Sequence, residues 1–479
     1  MFALYALMKK FFFYILSIIF ILEIQVLSVG CANMMPPQGG FRDSIPPIML
    51  KASPADSSKN FKETRITLTF DEFVDVQNVH ENLIVSPIPK IEPNVESRLR
   101  TVVIRLKDTL QPNTTYTLNF GNAIKDVNEG NITKNFSYIF STGPFFDSLT
   151  LSGKVIVAES GKVDTTLVVM LHQHGEDSAV VNEKPRYITR LDSLGNFRFR
   201  NLPSGTFYIY ALQDEGGGHR YLSEKQLFGF ADSAIVLSTV NNPVILYAFS
   251  GKTQTPSTVP QLGIRQKGGG NNNNAEKRLR LQSNIASGQL DLLSNLTIST
   301  DQPFKDLDTS LIHFSTDSSF VPVTGYKIGT DTSKKKLTLQ YNWKENTVYH
   351  VILEKNFAVD TSGRALLKSD TLNFRTKKLS DYGSLVIRFK NFDPSVNPVL
   401  LFIQNNSVIK SIPLASAKVN ESIFIPGDYE LRILQDRNKN GTWDTGDFFD
   451  HHLQPEIVKP VSRKITIKPN WENEFDIQL

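Results

Sequence analysis

The residues of this chain best placed to do chemistry sit near its two ends. Toward the C-terminus runs Asp436-Arg437-Asn438-Lys439-Asn440-Gly441-Thr442-Trp443-Asp444-Thr445-Gly446-Asp447. Oxygen-bearing side chains at Asp436, Asn438, Asn440, Asp444 and Asp447 fall at loop positions 1, 3, 5, 9 and 12, with Gly441 at position 6. That spacing lets one turn of chain wrap a hard cation, and the glycine permits the sharp bend. With Thr442 added, the candidate calcium ligands are Asp436, Asn438, Asn440, Thr442, Asp444 and Asp447. The flanks alternate as strands do, so a helix–loop–helix frame is not expected. Position 12 holds Asp447 rather than the bidentate Glu, and two ligands are neutral Asn. Any calcium binding is therefore expected to be weak, on the order of 10⁻⁴–10⁻³ M. The same residues equally fit an Asx-rich hairpin that holds no ion.

At the other end, Lys9-Lys10 precede an apolar run of about a dozen residues, Phe11–Leu22, in the manner of a signal peptide. The run is shorter than the roughly 20 residues of a membrane-spanning helix. Leu27-Ser28-Val29-Gly30-Cys31 follows, and Cys31 is the only cysteine in the chain. This segment resembles a bacterial lipobox, in which small residues admit the signal peptidase and the thiol receives a diacylglycerol. It departs from the usual pattern: Ser28 stands three residues before the cysteine, Leu27 lies one further back, and Glu23 interrupts the apolar stretch. Cys31 is thus the expected lipid attachment site, and residues 1–30 the signal peptide. Met8-Lys9-Lys10 would also serve as a start.

Elsewhere the chemistry is sparse. His172 and His174, His451 and His452, and the pair Asp71-Glu72 have no partners at metal-ligand or acid-pair spacing and read as surface or structural residues. The Asp126–Gly130 segment reads as a turn. No nucleophile elbow, phosphate loop or dinucleotide fingerprint occurs. Lys+Arg 52 against Asp+Glu 48 gives +4 over 479 residues, too balanced for a nucleic-acid surface. No enzyme activity is expected.

The elements that carry these residues read as strands. Arg65–Phe70, Tyr116–Phe120 and Phe136–Phe140 alternate polar and apolar residues between turn clusters, the period of antiparallel strands with one buried face. Pro46-Pro47 with Ser53-Pro54, Leu68–Asp75, Leu110–Tyr116 and Phe140–Gly143 together resemble the bacterial Ig-like domain of S-layer proteins of the SbsA kind. Cys31–Gly143 as a whole resembles a group of Bacteroidetes lipoproteins with that domain. The resemblance implies a seven-stranded sandwich without catalytic activity. Gly195–Leu212 carries G-x-F-x-F-x-x-L-P-x-G-x-F and is similar to the carboxypeptidase-regulatory, transthyretin-like sandwich, with Phe207 where that family has Tyr. Leu296–Phe304, Asn346–Tyr349 and Phe374–Thr376 echo the first pattern; Ile425–Arg432 echoes the second.

The expected architecture is all-β, a tandem of small antiparallel sandwiches: a tether at 31–43, an Ig-like unit at 44–144, a transthyretin-like unit at 147–250, a flexible Gly/Asn-rich linker at 251–277, an Ig-like unit at 278–378 and a transthyretin-like unit at 381–479. The linker is expected to separate two arms. The expected role is a non-catalytic, lipid-anchored scaffold of the cell envelope, on the outer membrane and facing the periplasm because acidic residues are missing directly after Cys31. The expected partners are the membrane, through the lipid, and an envelope protein or a glycan; no nucleic acid is expected. The alternative is a surface glycan-binding lipoprotein, for which Trp343, Trp443 and Trp471 are the available aromatic platforms.

Overall fold

A computed structural model describes residues 9–19, 42–214, 216–251, 278–316 and 319–479. Cys31 and the glycine- and asparagine-rich stretch within 252–277 lie outside these. Residues 9–19 form a helix, and among the described residues no helix is long and apolar enough to cross a membrane. The regular structure of the rest is almost all strand, with one-turn helices at Val79–Asn82 and Ala179–Asn182.

Alternation in the sequence becomes burial in the fold. In Arg65–Phe70 the side chains of Ile66, Leu68 and Phe70 are fully buried, and they meet Leu118, Phe120, Tyr138 and Phe140 of a facing sheet. This first unit packs the sheet Met49–Ser53, Arg65–Phe70, Thr101–Arg105, Asn94–Arg98 on the sheet Ile84–Ser86, Thr115–Gly121, Phe136–Ser141. A short ribbon, Val74–Val76 with Ile124–Asp126, closes one end.

The third unit repeats this plan. Its sheets are Leu281–Ser283, Leu296–Thr300, Lys336–Gln340, Lys327–Thr330 and Gln289–Leu290, Asp370–Thr376, Val348–Leu353, Ile312–Thr316, Val321–Pro322. Its ribbon is Phe304–Leu307 with Ala358–Asp360. Each ribbon ends on a buried aspartate that organises the next turn. Asp126 accepts backbone N–H groups of Glu129, Gly130 and Asn131 at 2.5, 2.9 and 2.6 Å. Burial pushes its pKa up, these donors pull it down further, and the net lies below the ordinary carboxylate value. Asp360 accepts the N–H of Ser362 and of Arg364, each at 2.9 Å, and the Arg364 guanidinium at 2.6 Å.

The second and fourth units share the other plan. In the second, Asn196–Leu202, Leu149–Val157 and Val244–Ala248 form one sheet, the last two parallel; Tyr187–Arg190, Leu167–His172, Gly205–Gln213 and Phe228–Phe230 form the other. The fourth unit has the same plan: Lys418–Phe424, Gly383–Lys390, Glu472–Gln478 against Ser407–Pro413, Pro398–Gln404, Gly427–Gln435, Ile457–Ile467, again with one parallel pair, the long Ile457–Ile467 standing where the second unit has both Phe228–Phe230 and Ile235–Leu237. Gly205 and Gly427 open equivalent strands at φ +153° and +151°, a region favouring glycine. Phe197 and Phe199 share the core face, and Phe207, Ile209 and Ala211 line it from the return strand.

The two halves of the chain are not separate arms. Leu167–His172 is buried on both faces: Leu167, Val169 and Leu171 enter the unit's own core, while Met170 joins an outer cluster with Tyr210, Leu212, Phe228 and Phe230. Phe448 of the fourth unit completes that cluster. An apolar outer sheet face needs a cover, and the fourth unit supplies it. The backbone crosses as well, with Val458 N–H donating to Ala158 C=O at 2.9 Å. Gly161, at φ +66°, sits under this contact; a Cβ there would stand 2.5 Å from Val458 O and 2.4 Å from Pro460 Cδ.

Candidate functional site

The strand Gly427–Gln435 delivers Asp436 into a loop that reaches across to the second unit. Asp436 is buried, and its carboxylate accepts the N–H of Gly441 at 2.7 Å and of Asn440 at 3.3 Å. Gly441 takes φ +77° to make that turn. Asn438 Oδ1 accepts Asn440 N–H at 3.0 Å, and Asn440 Oδ1 accepts the Thr442 N–H and hydroxyl at 2.7 and 2.8 Å. The amide nitrogens of Asn438 and Asn440 both donate to Asp444 Oδ2, at 2.7 and 2.6 Å. Asp436, Asn438, Asn440, Thr442 and Asp444 therefore come together, as their spacing implies.

Asp447 does not join them. Its Oδ1 accepts Asp450 N–H at 3.0 Å and its Oδ2 meets His451 Nδ1 at 2.8 Å, in a turn of its own. The hydrogen bond with His451 lowers the Asp447 pKa, and the same bond raises that of His451. Asp447, Asp450 and His451 bring one ligand atom each within 4.8 Å of one another. The carboxylate that does reach the loop is Glu456, buried, whose oxygens accept Arg437 N–H at 2.7 Å and Asp444 N–H at 3.1 Å. Its backbone carbonyl accepts Trp443 Nε1 at 2.7 Å. Local spacing could not reveal it, because Glu456 returns to the loop only after the excursion through Phe448 and His452.

That excursion is the docking element. The Phe448 ring lies 5.0 Å from Phe228, 5.1 Å from Phe230 and 5.8 Å from Tyr210, and Phe449 stacks on Tyr221 at 5.7 Å. Around this aromatic centre, His452 Nε2 meets Asp177 at 3.0 Å, Thr445 Oγ1 donates to Ser250 O at 2.7 Å, and Gln454 Nε2 donates to Asp232 at 2.7 Å. An apolar centre with a hydrogen-bonded rim is the anatomy of a specific interface.

The remaining sequence candidates disperse. His172 is buried against the Tyr210 ring, and desolvation lowers its pKa to about 4, so it is neutral; His174 is exposed on Glu183 at 2.8 Å. Asp71 accepts Ile48 N–H at 2.8 Å. Trp343 is core in the third unit, Trp443 is half-buried behind the loop, and Trp471 alone is exposed, at 63%.

Residues 43–142 match the family model described as Bacterial Ig-like domain. No curated protein matches the chain. Among solved structures, the major pilin subunit BcpA of Bacillus cereus is 9% identical over 69% of this chain and 99% of its own, at TM-score 0.17. The Bacillus anthracis TIE protein is 12% identical over 92% and 75%, at TM-score 0.17. The N-terminal part of the bacterial S-layer protein SbsC is 16% identical over 43% and 45%, at TM-score 0.16. Likenesses this slight add nothing to what the strands themselves establish. The first sandwich of this all-β chain is thus a bacterial Ig-like domain, and the family match stops at its boundary.

Proposed function

We propose that this chain is a non-catalytic scaffold of the cell envelope, held to a membrane by a lipid on Cys31 and facing the periplasm. The observation that carries the scaffold reading is the shared aromatic cluster around Phe448, which joins the second and fourth sandwiches into one body. Spacer proteins need such stiffness between modules, whereas an enzyme needs a reactive group that the fold leaves uncommitted. Here the buried carboxylates Asp126, Asp360, Asp436 and Glu456 all hold backbone N–H groups of turns. Site-specific crosslinking from exposed loops in intact cells should capture discrete envelope proteins. Turnover of a substrate by the purified chain in a broad hydrolase and transferase screen would overturn the reading.

The loop from Asp436 to Asp444, with Glu456 in the place expected for Asp447, is the proposed calcium position. Asp436, Asp444 and Glu456 put three carboxylates on this one loop, and a cation would have to draw their oxygens together, since among the described residues only those of Asp447 and Asp450, with His451, already lie within 4.8 Å of one another. At 10 mM calcium and a Kd of about 10⁻³ M, linkage gives roughly 1.4 kcal/mol of added stability. Calorimetry of the full chain with calcium and with chelator should show that gain, and Asp436→Ala should abolish it. Identical transitions in both conditions leave the plain Asx hairpin.

A further inference from the structure

A second site lies where the first and second units face each other. An open cleft of about 560 Å³ separates the outer face of the sheet containing Thr115–Gly121 and Phe136–Ser141 from the strands Tyr187–Arg190 and Asn196–Leu202. That volume falls within the roughly 300–1,000 Å³ of ligand clefts. The units are tied along one side of it, by Ile88 N–H to Arg186 O at 2.9 Å and Arg190 Nη1 to Asn82 O at 3.3 Å.

Alternation decides what lines the walls. In Asn196–Leu202, Phe197 and Phe199 point into the core, so Arg198 and Arg200 point into the cleft, where Arg190 joins them. On the facing wall Leu118, Phe120 and Tyr138 are core, which turns Thr117, Asn119 and Ser137 outward. Gly121 takes φ +55° beside this wall, and a Cβ there would stand 3.2 Å from Asn82 O.

The charge is unbalanced. Among the described residues Asp192 is the only carboxylate lining the cleft, and it is already engaged by Leu194 N–H at 2.9 Å and by Asn196 N–H and Nδ2 at 2.8 and 3.0 Å. Among the described residues, the side chains of Arg198 and Arg200 have no hydrogen-bond or ion-pair partner. In a chain whose charges nearly cancel, three arginines line one cleft whose walls also carry Ile84, Ile139 and Ile188. Guanidinium forks match carboxylates in paired hydrogen bonds, and hydroxyl and amide groups both donate and accept, as sugar hydroxyls require.

We propose that this cleft binds an acidic glycan, a sugar chain bearing carboxylates, with Arg198 and Arg200 as its principal contacts and Thr117, Asn119 and Ser137 reading its hydroxyls. The site depends on neither the lipid anchor nor the scaffold role, so its test can fail without touching theirs.

Titration calorimetry of the purified full chain with tetragalacturonate reads it directly, with neutral maltotetraose and inorganic phosphate as separate arms. Tetragalacturonate should bind, weaken as salt rises, and lose about tenfold or more in affinity in Arg198→Ala/Arg200→Ala. Both side chains are exposed, so the variant's melting temperature should match the parent's, and Arg198→Lys/Arg200→Lys should retain part of the affinity. Three results would each overturn the proposal: no heat with tetragalacturonate, equal affinity in the alanine variant, or equal affinity for maltotetraose. Phosphate binding as tightly as the oligosaccharide would also overturn it, in favour of a simple anion site.

Discussion

Phe448→Ala should cost about 3–5 kcal/mol and allow the second and fourth units to part. The ring is 4% exposed and lies among Tyr210, Phe228 and Phe230, so truncation leaves a cavity the rigid sheets cannot close. Thermal unfolding followed by calorimetry should show the two units melting together in the parent chain and in separate steps in the variant. Limited proteolysis gives a second readout. A cut within 252–277 should leave two fragments that co-elute in the parent and separate in the variant. A double-mutant cycle with Phe228→Ala should return a coupling of about 0.5–3 kcal/mol. Additive effects, or parent fragments that separate as readily as those of the variant, would show that the cluster does not join the units.

Cys31→Ser should remove the protein from the membrane fraction or leave it unprocessed, and should abolish incorporation of radiolabelled palmitate. Each buried acyl methylene contributes about 0.8 kcal/mol, and two chains hold firmly where one holds marginally. Loss of the thiol removes the only atom in the chain able to form the thioether. Radiolabel retained by Cys31→Ser at the parent's level would refute the attachment site.

The strands were legible because period-two alternation is a local consequence of the pleat. Ile66, Leu68 and Phe70, or Phe197 and Phe199, reveal their buried face without knowledge of what covers it. The repeat of the two plans was legible for the same reason: the glycines opening Gly205–Gln213 and Gly427–Gln435 follow from local backbone geometry. What covers an outer face is not local. The run Leu167-Val168-Val169-Met170-Leu171 breaks alternation and so indicates burial on both sides, yet nothing in it names Phe448 as the cover. The cation loop divides likewise. Asp436 to Asp444 follow from spacing, while Glu456 arrives by a tertiary return, and Asp447 is held by His451 and Asp450 only four and three residues onward. Of the three tryptophans available as glycan platforms, Trp343 is taken up in a core and Trp443 is half-buried, which the sequence alone did not reveal.

The contact between the second and fourth units has a mechanical consequence. In sequence the third sandwich lies between two units that hold each other directly, with Thr445 of the fourth bonded to Ser250 at the end of the second. The third sandwich keeps its own contact with the start of the fourth, Leu292 N–H donating to the Tyr382 hydroxyl at 2.8 Å. Tension applied between the first unit and Leu479 would pass from the second unit directly into the fourth, through Val458 and Ala158 and the Phe448 cluster. The third unit would enter that line of force only after the junction yields, which makes the junction the first element that load would test.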